Sequence, residues 1–364
     1  MRRFRILIVT HSPLSAEFGA GQVARNLGGA LKSQGHDVVL WTPHPLPQTR
    51  WWKGLQQMRS KVNAFIETQE PFDVIDIPSS LITKRMCKSA VVIARSTQPE
   101  ILYLLSDLNS PANLNVKNLV LIPFSYLHTL FHLYLVMQGW RKANYILCLG
   151  TLELNWMKKW FPWSRPKLLS YLNVLSESDQ LALTTIRKQR KQRCAGSLRF
   201  LWIGRWVSHK GTGILLDFIK QWSTLRPQDS FTIAGCGPEA EKACPSDLLQ
   251  SGRLKVVPSF ERRELYSLLA DHDVGLFTSK VEGWGLVLNE MLESGMPVFS
   301  TTAGGVPDLI PFFKDQLFKF PPSLQEISKP LDQSTGLEKY YEVFTWENIA
   351  KTYSDFIFAM KSST

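Results

Sequence analysis

The chain has 364 residues, a length that predicts two domains at roughly 150 residues each. A hydrophobic fraction of 44% is ordinary for a soluble globular protein and suffices for two cores. The five cysteines are scattered and odd in number, with no CxxC pair and no Cys/His cluster of zinc-binding spacing. They argue against a disulfide framework or a zinc site and indicate reduced thiols in a cytosolic protein.

The net charge of +11 resides mainly in the first half of the chain. Residues 1–178 contain 20 basic and 10 acidic side chains, whereas residues 194–364 contain 17 basic and 20 acidic ones. A basic half favours an anionic partner surface, either membrane or nucleic acid, although a merely solubilising face would have the same charge. Since no nucleic-acid-binding motif accompanies the charge, we expect no nucleic-acid partner.

The first buried strand is predicted over residues 5–10. Its apolar run, residues 6–9, is too short for the apolar region of a signal peptide, so the cytoplasm is the expected compartment. Strand-length apolar runs then alternate with helical patterns, which predicts βα units and parallel sheets. The other predicted strands span residues 37–41, 74–77, 90–94, 145–149, 199–203, 230–234, 254–257, 274–278 and 298–300.

A polar, basic segment divides this series of strands into two. We predict an α/β fold of two doubly wound domains, over residues 1–178 and 197–345, joined by a basic linker over residues 179–196. A final amphipathic helix within residues 346–364 is expected to pack back across the lobes. Because ligands of open parallel sheets bind beyond the carboxyl ends of the strands, two such lobes facing each other predict a cleft that holds the site.

Residues 119–137 form an apolar stretch without Asp, Glu, Lys or Arg. A spanning helix needs about 20 predominantly apolar residues, but Pro123, His128 and His132 dilute this one. We therefore rank a buried or interfacial helix first, a membrane-surface helix second and a true span third.

Aromatic and basic residues interleave on either side of that stretch, at residues 51–53 and 156–165. Trp beside Lys or Arg suits a bilayer interface, and anionic lipid attracts basic patches. Peripheral attachment of the N-terminal domain to an anionic membrane, on the inner face of the plasma membrane, is therefore one interpretation. The other is that these Trp side chains belong to the core, since Trp156 and Trp160 have helical spacing.

Two glycine-rich turns follow predicted strands. The first contains Gly19 and Gly21 and opens a helix, where glycine lets the backbone approach a ligand closely. It is not a GxGxxG fingerprint, because Ala24 stands at the third glycine position, and this disfavours a dinucleotide site. The second contains Gly235 and Gly237 and is suited to border a nucleoside.

A cationic motif, residues 204–211, directly follows the predicted strand at 199–203 and contains Arg205 and Lys210. A sugar nucleotide has two phosphates whose negative charge grows as the glycosidic bond breaks. Arg binds such a leaving group bidentately and Lys adds a point charge, so the pair can stabilise it without a metal ion. The alternative is a pair of solvated loop charges.

The most informative segment is residues 274–310. A helix predicted to begin near Leu286 presents the amides of residues 285–287, which can bind an anion such as a diphosphate. Glu282 precedes this helix and Glu290 lies on it, so two carboxylates can bind two sets of hydroxyls on one extended ligand. Taken singly, Glu290 is also explained as a surface helix residue and Glu282 as a loop charge that favours the helix dipole.

The second half of the chain resembles the retaining glycosyltransferases of family 4, which have the GT-B fold of two Rossmann-like domains facing across a cleft. The first half resembles them more loosely, through Gly19, Gly21 and the turn at residues 35–38. The motifs that carry the resemblance are the Glu-x7-Glu signature of Glu282 and Glu290, the Gly-Arg…Lys-Gly motif with Arg205 and Lys210, the Gly-x-Gly-Pro turn at residues 235–238, and the Gly-Gly pair at residues 304–305.

The resemblance implies a role for each of these residues. The implied catalytic residues are Arg205 and Lys210, which hold the donor diphosphate, and Glu282, which contacts hydroxyls of the transferred sugar. It also implies retention of anomeric configuration, no metal ion, no cofactor besides the nucleotide-sugar co-substrate, and help from the leaving phosphate for the incoming hydroxyl. The implied donor-binding residues are Gly19, Gly21, Gly235, Gly237, Gly283, Trp284, Gly285, Leu286 and, for the ribose hydroxyls, Glu290.

The sequence departs from the family at two places. Many members have a His near the end of the fourth strand that contacts the 6-position of the sugar, where this chain has Arg95 or Ser96 as the candidate substitute. The usual Asn-Gly-Val-Asp near the interdomain link reads Asn-Val-Leu-Ser at residues 173–176.

The predicted function is transfer of a hexosyl group from a UDP-, GDP- or ADP-linked donor to a glycan or glycolipid acceptor, for instance in cell-surface polysaccharide synthesis. The alternatives are another GT-B activity such as a sugar-phosphate synthase, a non-enzymatic nucleic-acid-binding protein, and a non-catalytic sugar-nucleotide sensor. Retention of both carboxylates and both cations argues against the sensor.

Overall fold

The computed structural model describes residues 3–14, 19–45, 52–96, 99–108, 122–190, 196–327 and 337–361. The chain forms two compact units. The N-terminal unit comprises Met1–Asn173 and Val343–Thr364, and the C-terminal unit comprises Val174–Glu342. Within the described residues, each unit contains one six-stranded sheet, and every strand pairing in these sheets is parallel.

The sheet of the N-terminal unit has the order β2-β1-β3-β4-β5-β6. Its strands are almost continuously apolar because a parallel sheet is covered on both faces, and residues 6–9 of the first strand are all buried. The strands are β1 (Arg5–Val9), β2 (Asp37–Trp41), β3 (Val74–Ile77), β4 (Val91–Arg95), β5 (Tyr145–Leu149) and β6 (Leu168–Tyr171). The helices are α1 (Gly19–Ser33), α2 (Trp52–Glu67), α3 (Met86–Ser89), α4 (Glu100–Leu108), α5 (Ile122–Lys142) and α6 (Gly150–Trp160).

The C-terminal unit has the strand order β12-β11-β10-β7-β8-β9. Counted within the unit, this is the doubly wound order 3-2-1-4-5-6, whose switch point lies between its first and fourth strands, β7 and β10. The strands are β7 (Arg199–Ile203), β8 (Ser230–Ala234), β9 (Leu254–Val257), β10 (Val274–Phe277), β11 (Val298–Ser300) and β12 (Leu317–Lys319). The helices are α7 (Glu177–Gln189), α8 (Thr212–Leu225), α9 (Ala240–Ala243), α10 (Ser246–Gln250), α11 (Arg262–Asp271), α12 (Leu286–Glu293), α13 (Val306–Leu309), α14 (Leu324–Ile327) and α15 (Leu337–Val343).

The last helix, α16 (Trp346–Lys361), returns to the N-terminal unit and packs against α1. Ser354 Oγ donates to Gln34 Oε1 at 2.7 Å and lies 3.0 Å from His36 Nε2. Because the serine proton is used on Gln34, the imidazole must donate through Nε2, and its Nδ1 then accepts from the Phe4 amide at 3.3 Å. Buried hydrogen bonds therefore fix the end of the chain on the N-terminal unit.

The segment expected to be a basic linker, residues 179–196, is largely helical. The helix α7 covers it as far as Gln189 and belongs to the C-terminal unit, which begins at Val174. The helix is locally encoded: Ser176 caps it by accepting from the Asp179 amide at 3.2 Å, and acidic residues occupy its first turn. Residues 191–195 lie outside the described residues.

The apolar stretch at residues 119–137 falls mostly within α5, although residues 119–121 lie outside the described residues. The second half of α5 packs into the core through Leu135, Val136 and Trp140. The first half carries an exposed apolar face, defined by Tyr126, Leu127, Leu130 and Tyr134, whose side chains are 46–60% exposed. None of the helices in the described ranges is both long and apolar enough to cross a membrane.

Candidate active site

The carboxyl ends of β7 and β10 lie side by side at the switch point of the C-terminal sheet, where Val274 pairs with Phe200 and Leu276 with Trp202. The loop after β7 ends at Lys210, and the loop after β10 contains Glu282. The Lys210 ammonium donates to Glu282 Oε2, which also accepts from Ser279 Oγ at 3.0 Å. Two residues that are 72 positions apart in sequence thus meet at the place where doubly wound sheets bind ligands.

Close contacts between the loop after β7 and the end of β10 hold the two loops in this arrangement. Gly211 has a φ of +72°, and a Cβ at this position would lie 1.9 Å from the carbonyl oxygen of Thr278, so glycine is required. The Thr278 hydroxyl donates to the Lys210 carbonyl at 2.8 Å and accepts from Trp202 Nε1 at 2.9 Å. The backbone of Lys210 is therefore fixed before any ligand binds, while its ammonium retains donors beyond the one used on Glu282.

The helix α12 begins at Leu286, as the sequence predicted, and Gly285 precedes it with a φ of +88°. A Cβ on Gly285 would lie 2.7 Å from Cζ of Phe277, so the backbone can turn tightly here only without a side chain. No side chain caps this end of α12 in the part of the chain that is described. The first amides of the helix are thus available to an anion near the Lys210–Glu282 pair.

Arg205 is exposed and follows the same strand as Lys210. The glycines Gly235 and Gly237 follow the neighbouring strand β8, with φ values of +67° and +77°. Their amides donate to the carbonyls of Val257 and Pro258, each at 2.9 Å. These three residues therefore share the carboxyl edge of the sheet with the Lys210–Glu282 pair.

Glu290 lies on α12 but is not a surface helix residue, since it is only 3% exposed. Arg262, the first residue of α11, donates to Glu290 Oε1 through Nη1. Burial raises the pKa of the Glu290 carboxyl, and the charge and hydrogen bond of Arg262 oppose that rise. Arg262 was not predicted from the sequence, because nothing in the local pattern around it marks a partner 28 positions away.

The side chain of Trp284 is buried, whereas the resemblance assigns the donor contacts of residues 283–286 to their backbone amides. It is 2% exposed, and its indole Nε1 donates to Asn289 Oδ1 at 2.8 Å inside the C-terminal unit. The Gly304–Gly305 pair makes room for this packing, because a Cβ on Gly305 would lie 2.7 Å from the indole ring. Any contact of Trp284 with a donor must come from its backbone.

Residues 185–345 match the family model for Glycosyl transferases group 1. The GPI3 subunit of phosphatidylinositol N-acetylglucosaminyltransferase from Saccharomyces cerevisiae (strain YJM789) is 24% identical over 183 residues, which cover 46% of this chain and 39% of that protein. Sulfoquinovosyl transferase SQD2 of Arabidopsis thaliana is 33% identical over 106 residues, covering 29% of this chain and 20% of that protein. The chain therefore spans well under half the length of either relative.

Solved structures share the fold over the whole chain. Sucrose-phosphate synthase (tll1590) from Thermosynechococcus elongatus has a TM-score of 0.73 at 17% identity and covers 100% of both chains. Residues 185–345 of this chain are therefore similar to glycosyl transferases group 1, and the chain shares the fold of the GT-B glycosyltransferases. Anabaena Alr3699/HepE, solved in complex with UDP and glucose, gives a TM-score of 0.60 at 16% identity over 98% of this chain and 100% of that one. The predicted α/β fold of two Rossmann-like domains is confirmed.

The family match contains the two cations and the two carboxylates of the C-terminal unit, whereas Gly19 and Gly21 lie outside it at the start of α1. Both glycines therefore belong to the first turn of α1 rather than to a loop before it, and Gly21 is buried whereas Gly19 is exposed. Within the described residues, no cluster of three or more His, Cys, Asp or Glu side chains could hold a metal ion.

The two substitutes for the family His are both committed to other partners. Arg95 is 1% exposed and donates through Nε to Asp76 Oδ1 at 2.6 Å. Ser96 is also buried, and its hydroxyl donates to Glu153 Oε1 at 2.6 Å. Both side chains are thus buried and hydrogen-bonded within the N-terminal unit.

Proposed function

We propose that this protein is a retaining glycosyltransferase that moves a sugar from a nucleotide-sugar donor to a glycan or glycolipid acceptor. The observation that carries the proposal is the meeting of Lys210, Glu282 and the start of α12 at the switch point of the C-terminal sheet. A cation, a carboxylate and free helical amides at one sheet edge match a ligand with a diphosphate next to a ring of hydroxyls.

The donor diphosphate is the part of the substrate that gains charge during the reaction. Lys210 and Arg205 supply fixed positive charge for it, and the first amides of α12 add hydrogen-bond donors. Glu282, already held by Lys210 and Ser279, is then placed to accept from hydroxyls of the transferred sugar, and Glu290 from those of the ribose. The glycines of the β8 turn leave room for the nucleoside.

The reaction we propose needs no general base from the protein. The leaving phosphate oxygen accepts the proton of the acceptor hydroxyl on the face from which it departs, so that the new bond forms with retention of configuration. Gly19 and Gly21, in the N-terminal unit, let the backbone approach the acceptor.

The proposal is tested by a panel of UDP-, GDP- and ADP-sugars. We expect one nucleoside diphosphate class to raise the thermal unfolding temperature of the protein and its sugar to be hydrolysed slowly without acceptor. Proton NMR of the product formed with a hydroxylated acceptor should give the anomeric configuration of the donor. Failure of every nucleotide to bind, or tight salt-dependent binding of DNA instead, would contradict the proposal.

We further propose that the N-terminal unit attaches peripherally to an anionic membrane, on the inner face of the plasma membrane, through the exposed apolar face of α5. Tyr126, Leu130 and Tyr134 are spaced by four residues and so share one side of a helix that is about 31 Å long. At the far end of α5, Arg141 stacks over the Trp163 ring at 5.8 Å. An apolar stripe bordered by Trp and cations is typical of helices that lie in a bilayer interface.

The membrane proposal predicts the outcome of a vesicle co-sedimentation experiment. Leu130→Glu combined with Tyr134→Glu should abolish binding to vesicles that contain anionic lipid, because two charges would have to enter the apolar region. Leu225→Glu is the matched control, since Leu225 is 63% exposed on α8 of the other unit. Equal sedimentation of the double variant and the control would contradict the proposal, as would failure of the unaltered protein to bind.

A further inference from the structure

Arg262 joins two carboxylates that lie on different helices of the C-terminal unit. Its Nη1 donates to Glu290 Oε1 on α12, and its Nε donates to Asp179 Oδ1 on α7 at 3.2 Å. Its Nη2 also lies 3.0 Å from Asp179 Oδ1. One guanidinium thus connects α7, α11 and α12 at a single point.

The position of Arg262 is fixed from several directions. Asp179 is itself held by the Tyr266 hydroxyl at 2.6 Å and by Ser176 Oγ at 2.7 Å. Burial would raise the pKa of Asp179, but these hydrogen bonds and the charge of Arg262 outweigh it and lower that pKa. At the other side, a reciprocal capping box between residues 261 and 264 fixes the first turn of α11. The guanidinium is therefore a rigid support rather than a mobile surface charge.

Glu290 needs such a support to bind hydroxyls. An ionised carboxylate is acceptor-only at both oxygens, so it accepts from two neighbouring hydroxyls best when it is ionised and its oxygens are correctly oriented. Burial works against ionisation, and in the described part of the chain Arg262 is the cation that pairs with Glu290. The charge on Arg262 and the fixed direction of its N–H groups meet both requirements together.

We propose that Arg262 is a positioning residue for the nucleotide donor, which orients Glu290 to accept hydrogen bonds from the ribose hydroxyls. The inference rests on the proposed function, because it needs a ribose at Glu290. Asp179 acts one step further away by anchoring Arg262 to α7.

Binding of nucleoside diphosphates and their 2′-deoxy counterparts separates this role from a purely structural one. For the unaltered protein, whichever of UDP, GDP and ADP binds should lose about tenfold in affinity when its ribose 2′-hydroxyl is absent. Arg262→Ala should lower the affinity for the ribonucleotide by about tenfold. It should also abolish the discrimination, so that the affinities for the ribonucleotide and the 2′-deoxynucleotide differ by less than about twofold. Isothermal titration calorimetry measures the affinities for the ribonucleotide and for the 2′-deoxynucleotide.

The neighbouring residue provides the matched control. Arg263 is exposed and pairs with the exposed Glu261, so Arg263→Ala should keep the discrimination of the unaltered protein. Arg262→Lys should restore part of it, because it returns the charge without the fork of donors. In turnover, Arg262→Ala should raise KM for the donor and leave kcat within about threefold, since the ribose is remote from the bond that breaks.

Asp179→Asn is a second variant in case Arg262→Ala fails to fold. It keeps the shape of the side chain and should reduce the ribose discrimination partly, by loosening Arg262. If the unaltered protein binds no nucleoside diphosphate, the proposed function fails. If it binds one and discriminates, but Arg262→Ala and Asp179→Asn discriminate equally well, only the role of Arg262 is overturned.

Discussion

Lys210→Ala is expected to lower turnover by about two to three orders of magnitude while the protein stays folded. The ammonium is the fixed positive charge that the structure places at the switch point, next to the start of α12. In the proposed reaction, a charge held there beforehand stabilises the departing diphosphate without the cost of reorganising solvent. The lysine side chain is partly exposed, and Glu282 keeps the hydrogen bond from Ser279 Oγ when the ammonium is removed, so we expect the fold to persist.

The measurement is initial rate with a saturating nucleotide-sugar donor, together with thermal unfolding. Lys220→Ala is the matched control, since Lys220 is an exposed lysine on α8 of the same unit, and its rate should be unchanged. Lys210→Arg should retain more activity than Lys210→Ala because it keeps the charge. Turnover of Lys210→Ala within about threefold of the unaltered protein would remove Lys210 from the catalytic residues.

Asp76→Asn is expected to destabilise the N-terminal unit by about 3–5 kcal/mol. Asp76 is fully buried on β3 and accepts from Arg95 Nε at 2.6 Å and from the Tyr353 hydroxyl of α16 at 2.9 Å. Burial alone would lower the pKa of Arg95. The charge and hydrogen bond of Asp76 outweigh burial and raise this pKa, so the guanidinium stays charged. Asparagine keeps the shape of the side chain but leaves a buried cation without a counter-charge.

Urea unfolding of the full chain, compared between the variant and the unaltered protein, measures the change in the free energy of unfolding. Glu67→Gln is the matched control, because Glu67 pairs with Arg85 on the surface of the same unit and such pairs contribute only about 0–1 kcal/mol. The double variant Asp76→Leu with Arg95→Met should recover most of the lost stability, since it removes the buried charge altogether. A loss below about 1 kcal/mol in Asp76→Asn would show that the pair is not held as the structure has it.

The strands that the sequence failed to predict are both at sheet edges. Leu168–Tyr171 and Leu317–Lys319 are short and only partly buried, so neither has the continuous apolar pattern of a central strand. They are strands because β5 and β11 each present an unpaired edge of backbone donors and acceptors in register with them. The helix α7 was missed for a related reason: its basic residues suggested a linker, yet Arg187 is buried and donates to the carbonyls of Leu292 and Glu293.

The sequence by itself determined ten of the twelve strands, the start of α12 and the two short motifs that the C-terminal sheet brings together. These features are local, because a buried parallel strand is an apolar run and a tight turn after it requires glycine. Only the tertiary structure decided that Trp284 turns inward and that Arg95 pairs with Asp76. It alone also decided that Arg262 supports Glu290. Each of these depends on which surfaces meet once the chain has folded, and side chains 28 or 83 positions apart leave no periodic trace in the sequence.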